Sequence, residues 1–206
     1  MSSPSGEGKE FDMKRPIKIL WIDTETTGLD PRLNDVVQIG GIIEVVGVSG
    51  EEFEIKSRPN NWSSVNKDAI DTHGISIDEL KQFPPSSEAH LEFKKLLFKY
   101  VDPFDPYDKL IPAGHNVGFD VNMLHEFCVK QGDEYLFSCL SMGQIDLKVV
   151  AALYELHCGE RVFVSYKLSR ICEKLGVSLT NAHSAVDDIR ATRDCCVKLL
   201  GLMMKE

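Results

Sequence analysis

Apolar and polar positions follow two regimes along this chain. In the first half the apolar runs are short and rich in β-branched residues. Residues 17–22, after Pro16, are apolar except for Lys18, which predicts a buried first strand. Residues 36–48 predict a second strand, with a bulge or bend at Gly40 and Gly41. Residues 52–58 alternate and predict a third, half-exposed strand. Residues 60–87 mix turn formers with short helical pieces, and Pro103, Pro106 and Pro112 bracket a loop before a short strand at 110–113. From Gly118 onward the period becomes helical, predicting helices near 118–131, 141–157, 166–175 and 184–204. No internal repeat is visible. Strands first and helices later, with one strand–helix crossover between them, predict an α/β fold with a mixed sheet flanked by helices.

At 206 residues the chain has room for one domain with a sizeable core. The expected division is a disordered N-terminal tail over 1–15, opened by Ser2, Ser3, Pro4, Ser5 and Gly6, and a domain over 16–206. No apolar run approaches the ~18 residues of a membrane span, and Met1 to Lys14 holds no secretory apolar core. The expectation is a cytoplasmic protein with no membrane partner. Cysteines stand at 128, 139, 158, 172, 195 and 196 without a CxxC pair, which argues for reduced thiols rather than zinc. The charge changes the picture more. Acidic residues number 32 against 23 basic ones, a net of −9. A protein coating long duplex would be basic, so contact with nucleic acid should be short and local, with metal ions offsetting charge.

Three groups of acids carry candidate chemistry. In Asp23-Thr24-Glu25-Thr26-Thr27-Gly28, Asp23 and Glu25 are two apart on an extended segment and can aim to one side. Two such carboxylates repel unless a cation or a proton intervenes, and hard divalent ions choose oxygen ligands of this kind; capping acids of a loop would look alike. Asp120 follows His115 and Asn116. At about 100° per residue it falls about 60° from Met123, inside an apolar stripe, where a bare carboxylate needs a metal, a metal-bound water or a basic partner. In the third group, His183-Ser184-Ala185-Val186-Asp187-Asp188, the apolar line runs through Ala185, Ile189, Cys196 and Leu199. Asp188 borders that line at about 60°, whereas Asp187 lies about 160° away and reads as a solvated surface charge. His183 would have to sit before the helix to reach the same place.

These motifs, in this order, resemble the His-containing branch of the DEDD exonuclease superfamily. That branch includes the proofreading subunit of bacterial replicative DNA polymerase, ribonuclease T and oligoribonuclease. The segment Ile22 to Leu29, His115-Asn116 with Asp120, and His183 five residues before Asp188 carry the likeness, which extends from about Lys18 to Leu200. His73-Gly74-Ile75 is similar to a turn of the proofreading type, and Ile145-Asp146-Leu147 to the segment after the second motif; Asp146 itself reads as a helix cap. The resemblance implies a ribonuclease H-like, mixed five-stranded sheet. It implies that Asp23, Glu25, Asp120 and Asp188 hold two Mg²⁺ (with Mn²⁺ able to substitute) and that His183 is the general base. Thr26 and Leu29 would meet the terminal nucleotide, with His115 and Asn116 beside the strand. The implied activity is 3′-to-5′ trimming of single-stranded nucleic acid to mononucleotides, with a DNA polymerase as a possible partner. The His-Gly-Ile turn favours DNA; the alternatives are an RNA-directed exoribonuclease and a non-catalytic docking module. A retired module would lack an acid or the His, and none is missing here. Gln38 departs from the Glu that many members carry. Lys167, Arg170, Arg190 and Arg193 are candidate phosphate contacts, or simply solvated charges.

Overall fold

The computed structural model describes residues 15–48, 50–179 and 185–204; the predicted tail up to residue 14, and His183, lie outside them. Five strands form one mixed sheet: β1 (Lys18–Thr26), β2 (Val36–Val45), β3 (Glu51–Lys56), β4 (Leu110–Gly114) and β5 (Ile145–Asp146). Their order is β3-β2-β1-β4-β5; β1–β2 and β2–β3 run antiparallel, β1–β4 and β4–β5 parallel. Helices α1 (Lys67–His73), α2 (Ile77–Leu80) and α3 (Ser86–Tyr100) connect β3 to β4. Helix α4 (Val117–Lys130) follows β4, and α5 (Leu147–Cys158), α6 (Leu168–Leu175) and α7 (Ala185–Met203) complete the fold. The predicted mixed sheet flanked by helices is what forms.

The central strand explains its own composition. Leu20 and Ile22 face a core built with Phe93 and Leu97 of α3 and Val121 and Leu124 of α4. Trp21 faces the opposite core, with Leu147 and Ala151 of α5, Ile171 of α6 and Ile189 and Cys196 of α7. A strand covered on both faces must be apolar at successive positions, and β1 is. Strand β3 lies at the edge and alternates, as expected.

Several expectations need correction. Strand β1 continues past the predicted residue 22 to Thr26 and so carries both Asp23 and Glu25. The predicted helix over 141–157 is shorter: Ile145 and Asp146 pair with β4, and α5 starts at Leu147. Asp146 stops the helix there by capping it, its carboxylate accepting from the Lys148 N–H at 2.8 Å. Helix α3 was not anticipated. Its inward line of Ala89, Phe93 and Leu97 is diluted by buried Ser86 and His90, while Leu91 and Phe98 are exposed, which blurs the period.

The bend expected at Gly40 and Gly41 is absent, since β2 pairs continuously through both. The irregularity lies nearer the strand start, between the Glu25–Gln38 and Thr26–Val36 pairs. The glycines serve close packing instead. A Cβ on Gly40 would lie 2.6 Å from the Cβ of Ala185, so the start of α7 rests directly on β2, at the partner position of Asp23.

Gly40→Ala should therefore lower stability by about 1–3 kcal/mol through overpacking. Gly118→Ala, where an added Cβ meets nothing nearer than 3.7 Å, should be neutral or stabilise by up to ~1 kcal/mol. Urea unfolding checks the pair; equal midpoints would show that α7 does not press on β2.

Candidate active site

Strand β1 is longer than its parallel neighbour, and the site grows from that mismatch. The β1–β4 pairing ends at Trp21–Ala113, so beyond it the β4 side of β1 has no strand beside it. Chain approach is close at this corner: a Cβ on Gly114 would lie 2.7 Å from the Ile22 carbonyl oxygen. Where the ladder stops, Asp120 of α4 takes over. One of its oxygens accepts from the Thr24 N–H at 2.9 Å and from the Thr24 hydroxyl at 2.8 Å. Asp120 is 3% exposed, and no Lys or Arg bonds to it among the described residues. Its carboxylate thus does the work of a missing strand, at the cost of burying an acid with no basic partner among the described residues.

Asp23 and Glu25 flank Thr24 and point to the other face of β1, the face that α7 covers. There the first turn of α7 brings Asp188. Asp23, Glu25, Asp120 and Asp188 line one cavity of about 380 Å³, together with Thr26, Leu29, His115, Phe119 and His73. Burial, and then the charge of Asp188, push the Asp23 carboxyl up to about 7 from its ordinary 3.8. Burial, then Asp23 and Asp188, push Glu25 up to about 8 from 4.5. Burial and the charge of Asp23 raise Asp120 despite its two bonds from Thr24. Among the described residues no Lys or Arg lines this cavity.

A donor set of carboxylate oxygens with no cation beside it fits a hard divalent ion. Among the described residues no three of the groups gather into a ready coordination cage.

The remaining predicted residues fall as follows. The Thr26 hydroxyl donates to the Gly28 carbonyl at 2.8 Å, shaping the turn that presents Leu29, which is 83% exposed at the cavity lip. His115 lines the cavity. Asn116 does not: it is exposed, takes the left-handed φ of 66° that starts α4, and accepts from Lys148 Nζ at 2.9 Å. Asp187 is turned from the cavity toward Arg190, at 2.7 Å, so it is an ion-paired surface acid rather than a freely solvated one. The basic candidates lose ground. Arg190 also pairs with Glu52, Arg193 with Glu44 and Arg170 with Glu173. Gln38 donates to Glu54 at 2.6 Å.

Several cavity residues escaped the reading of the sequence as site groups, Asp68, Phe119 and His73 among them. His73 ends α1 and is buried; its Nδ1 accepts from the Ile75 N–H at 3.0 Å, so in the neutral ring Nε2 carries the hydrogen. That Nε2 is buried with no hydrogen-bond partner among the described residues. Burial holds the His73 pKa below its ordinary 6.5, keeping the ring neutral. The turn at Gly74, with φ of 72°, was the visible signal; that it delivers an unused donor to the cavity was not.

Comparisons with known proteins bear on this arrangement. The profile of the family described as "Exonuclease" matches residues 20–195. The DNA polymerase III subunit epsilon of Rickettsia felis is 31% identical over 87% of this chain and 72% of its own length. The PolC-type DNA polymerase III of Thermotoga maritima is 27% identical over 89% of this chain, but the match spans only 12% of that far longer protein. Among solved structures, E. coli Exonuclease I in complex with a dT13 oligonucleotide superposes with a TM-score of 0.74, covering 91% of this chain and 42% of that one at 20% identity. The shared feature is the fold, a ribonuclease H-like sheet.

The cavity acids predict how metal-free stability varies with pH. An acid whose pKa is raised on folding binds its proton more tightly folded than unfolded, so its contribution falls as pH rises from the ordinary value through the folded one. For Asp23 and Glu25 that fall runs from about 4 to about 7 and 8. In chelator, the wild type should lose stability between pH 5 and 8 relative to the double variant Asp23→Asn/Glu25→Gln, which keeps His73 and every surface pair. Parallel melting curves across that window would refute the raised carboxyl pKa values that burial, and then mutual repulsion, produce.

Proposed function

Because the chain belongs to the exonuclease family, we propose that it is a 3′-to-5′ exonuclease acting on single-stranded nucleic acid, DNA in preference to RNA. It releases nucleoside monophosphates with two divalent ions, Mg²⁺ or Mn²⁺, and His183 as general base. The observation that carries this reading is the convergence of Asp23, Glu25, Asp120 and Asp188 on one cavity with no Lys or Arg lining it among the described residues. Divalent ions in such a site supply the positive charge that four carboxylates and a phosphodiester require. The two relatives' names, both of DNA polymerase III, favour DNA and allow a polymerase as partner.

The chain's own groups divide the work. Asp23 and Glu25 offer oxygens from β1, Asp188 from α7, and Asp120 offers the oxygen that Thr24 does not occupy. His183 precedes Ala185 by two residues and takes the proton of the attacking water; an imidazole with an ordinary pKa near ~6.5 is free to do so at neutral pH. Leu29 meets the terminal nucleotide from the lip, and His115 lies beside the strand. The net charge of −9 suits a brief grip on a strand end better than a long grip on duplex.

One assay tests the whole reading: labelled single-stranded DNA, duplex DNA and short RNA, each with Mg²⁺, Mn²⁺ or EDTA. Mononucleotide release from free 3′ ends of single-stranded DNA, abolished by EDTA, is expected. Undiminished cleavage in chelator, or at a 3′-phosphate-blocked end, would overturn it.

Two sets of variants refine it. Asp188→Asn should abolish activity while Asp187→Asn keeps most of it; equal losses in two folded proteins would reverse that assignment. His183→Ala should slow single-turnover cleavage by about 10²–10⁴-fold with metal still bound. Near-normal rates would make His183 structural.

A further inference from the structure

The chain between α5 and α6, residues 159–167, has no helix or strand of its own, yet one side chain organises it. Glu155, in the last turn of α5, is only 7% exposed. One of its oxygens accepts from the backbone N–H groups of Val162 and Phe163, both at 2.9 Å. The other accepts from the Tyr166 hydroxyl at 2.5 Å and from the Arg161 guanidinium at 2.9 Å. Led by the Tyr166 hydroxyl, these donors hold the Glu155 carboxyl down at about 2, so it stays ionised and keeps all four. Phe163 anchors the same stretch in the core beside Tyr154, with ring centroids 6.4 Å apart.

This arrangement reaches the cavity through one bond. The backbone carbonyl of Tyr166 lies 2.7 Å from His115 Nε2. A carbonyl only accepts, so Nε2 must carry the hydrogen, and the ring is fixed both in its protonated nitrogen and in its plane. The chain next to His115 is held from the other end of α5, since the Asn116 N–H donates to Asp146 at 3.2 Å.

We propose that Glu155 is a positioning residue for the substrate strand, acting at a distance by fixing the Tyr166 carbonyl that orients His115. This rests on the reading of the cavity as a nucleic-acid site with His115 at its wall. Glu155 touches no reacting atom, so its loss should weaken substrate binding more than it slows chemistry.

Two measurements test the proposal on the full chain. The first is the ring-nitrogen NMR signature of His115, which needs no activity. Wild type should show hydrogen on Nε2; Glu155→Ala should show a mixture of tautomers, and Glu155→Gln, whose amide oxygen can still accept from Val162 and Phe163, should stay close to wild type. The second is a kinetic cycle on single-stranded DNA. Glu155→Ala and His115→Ala should each raise KM about tenfold, the scale of one well-placed hydrogen bond, with kcat changed less than threefold. The double variant should be no worse than His115→Ala alone. If Glu155→Ala does not fold, Tyr166→Phe, which deletes a single donor, should give a smaller loss that likewise does not add to that of His115→Ala. An unchanged His115 signature in Glu155→Ala, or losses that multiply in the double variant, overturns the positioning role. A wild type inactive on every nucleic acid would defeat the exonuclease reading, and the ring signature would still decide whether Glu155 orients His115.

Discussion

Carboxylates forced together out of water repel, and the rest of this structure can be understood from how the fold tolerates that. Each acid at the cavity comes from a segment fixed by other forces. Asp23 and Glu25 ride on a strand buried on both faces, Asp120 on a helix packed through Val121 and Leu124, and Asp188 on a helix packed through Ile189 and Cys196. Apolar burial of this order is worth on the order of tens of kcal/mol across the domain, enough to hold a cluster that would separate if left to itself. Positive charge entering such a cluster, as a proton or a cation, would relieve that repulsion.

The geometry depends on small features that leave space. Strand β4 ends before β1 does, which opens a backbone N–H at Thr24 for Asp120. Gly114 lets the two chains close at that corner, and Gly40 lets α7 lie on β2 opposite Asp23. None of these residues carries chemistry. They set how near the acids stand to one another, and in a cluster governed by Coulomb's law that distance is the functional quantity.

Much of this was legible in the sequence, for identifiable reasons. Strand alternation put Asp23 and Glu25 on one side, and helical phase separated Asp188 from Asp187; both are local periodicities that tertiary packing had no cause to overrule. Asp120 betrayed itself as an acid in an apolar stripe, although its partner, the Thr24 N–H and hydroxyl, is a product of the sheet register and has no trace in the chain. Helix α3 was hidden because its period is smeared by apolar residues on its outer side. The roles of His73 and Glu155 were hidden for another reason. Each depends on the absence or presence of hydrogen-bond partners many residues away, and a sequence records residue types but not which donors have been used. Asn116 failed as a cavity residue because the left-handed turn that starts α4 sends it outward.

The contact between Gly40 and Ala185 also has a temporal side. During synthesis the sheet and α4 emerge first, carrying Asp23, Glu25 and Asp120; Asp188 arrives later on α7, which lands on β2 and covers the second core. The last of the four acids is therefore added by the same docking step that brings Ile189, Cys196 and Leu199 into the second core. Divalent ions present at that moment would favour the docked helix, and their scarcity would favour its release. On the proposed reading, metal would therefore bear on how firmly α7 closes over β2 as well as on the chemistry of the site.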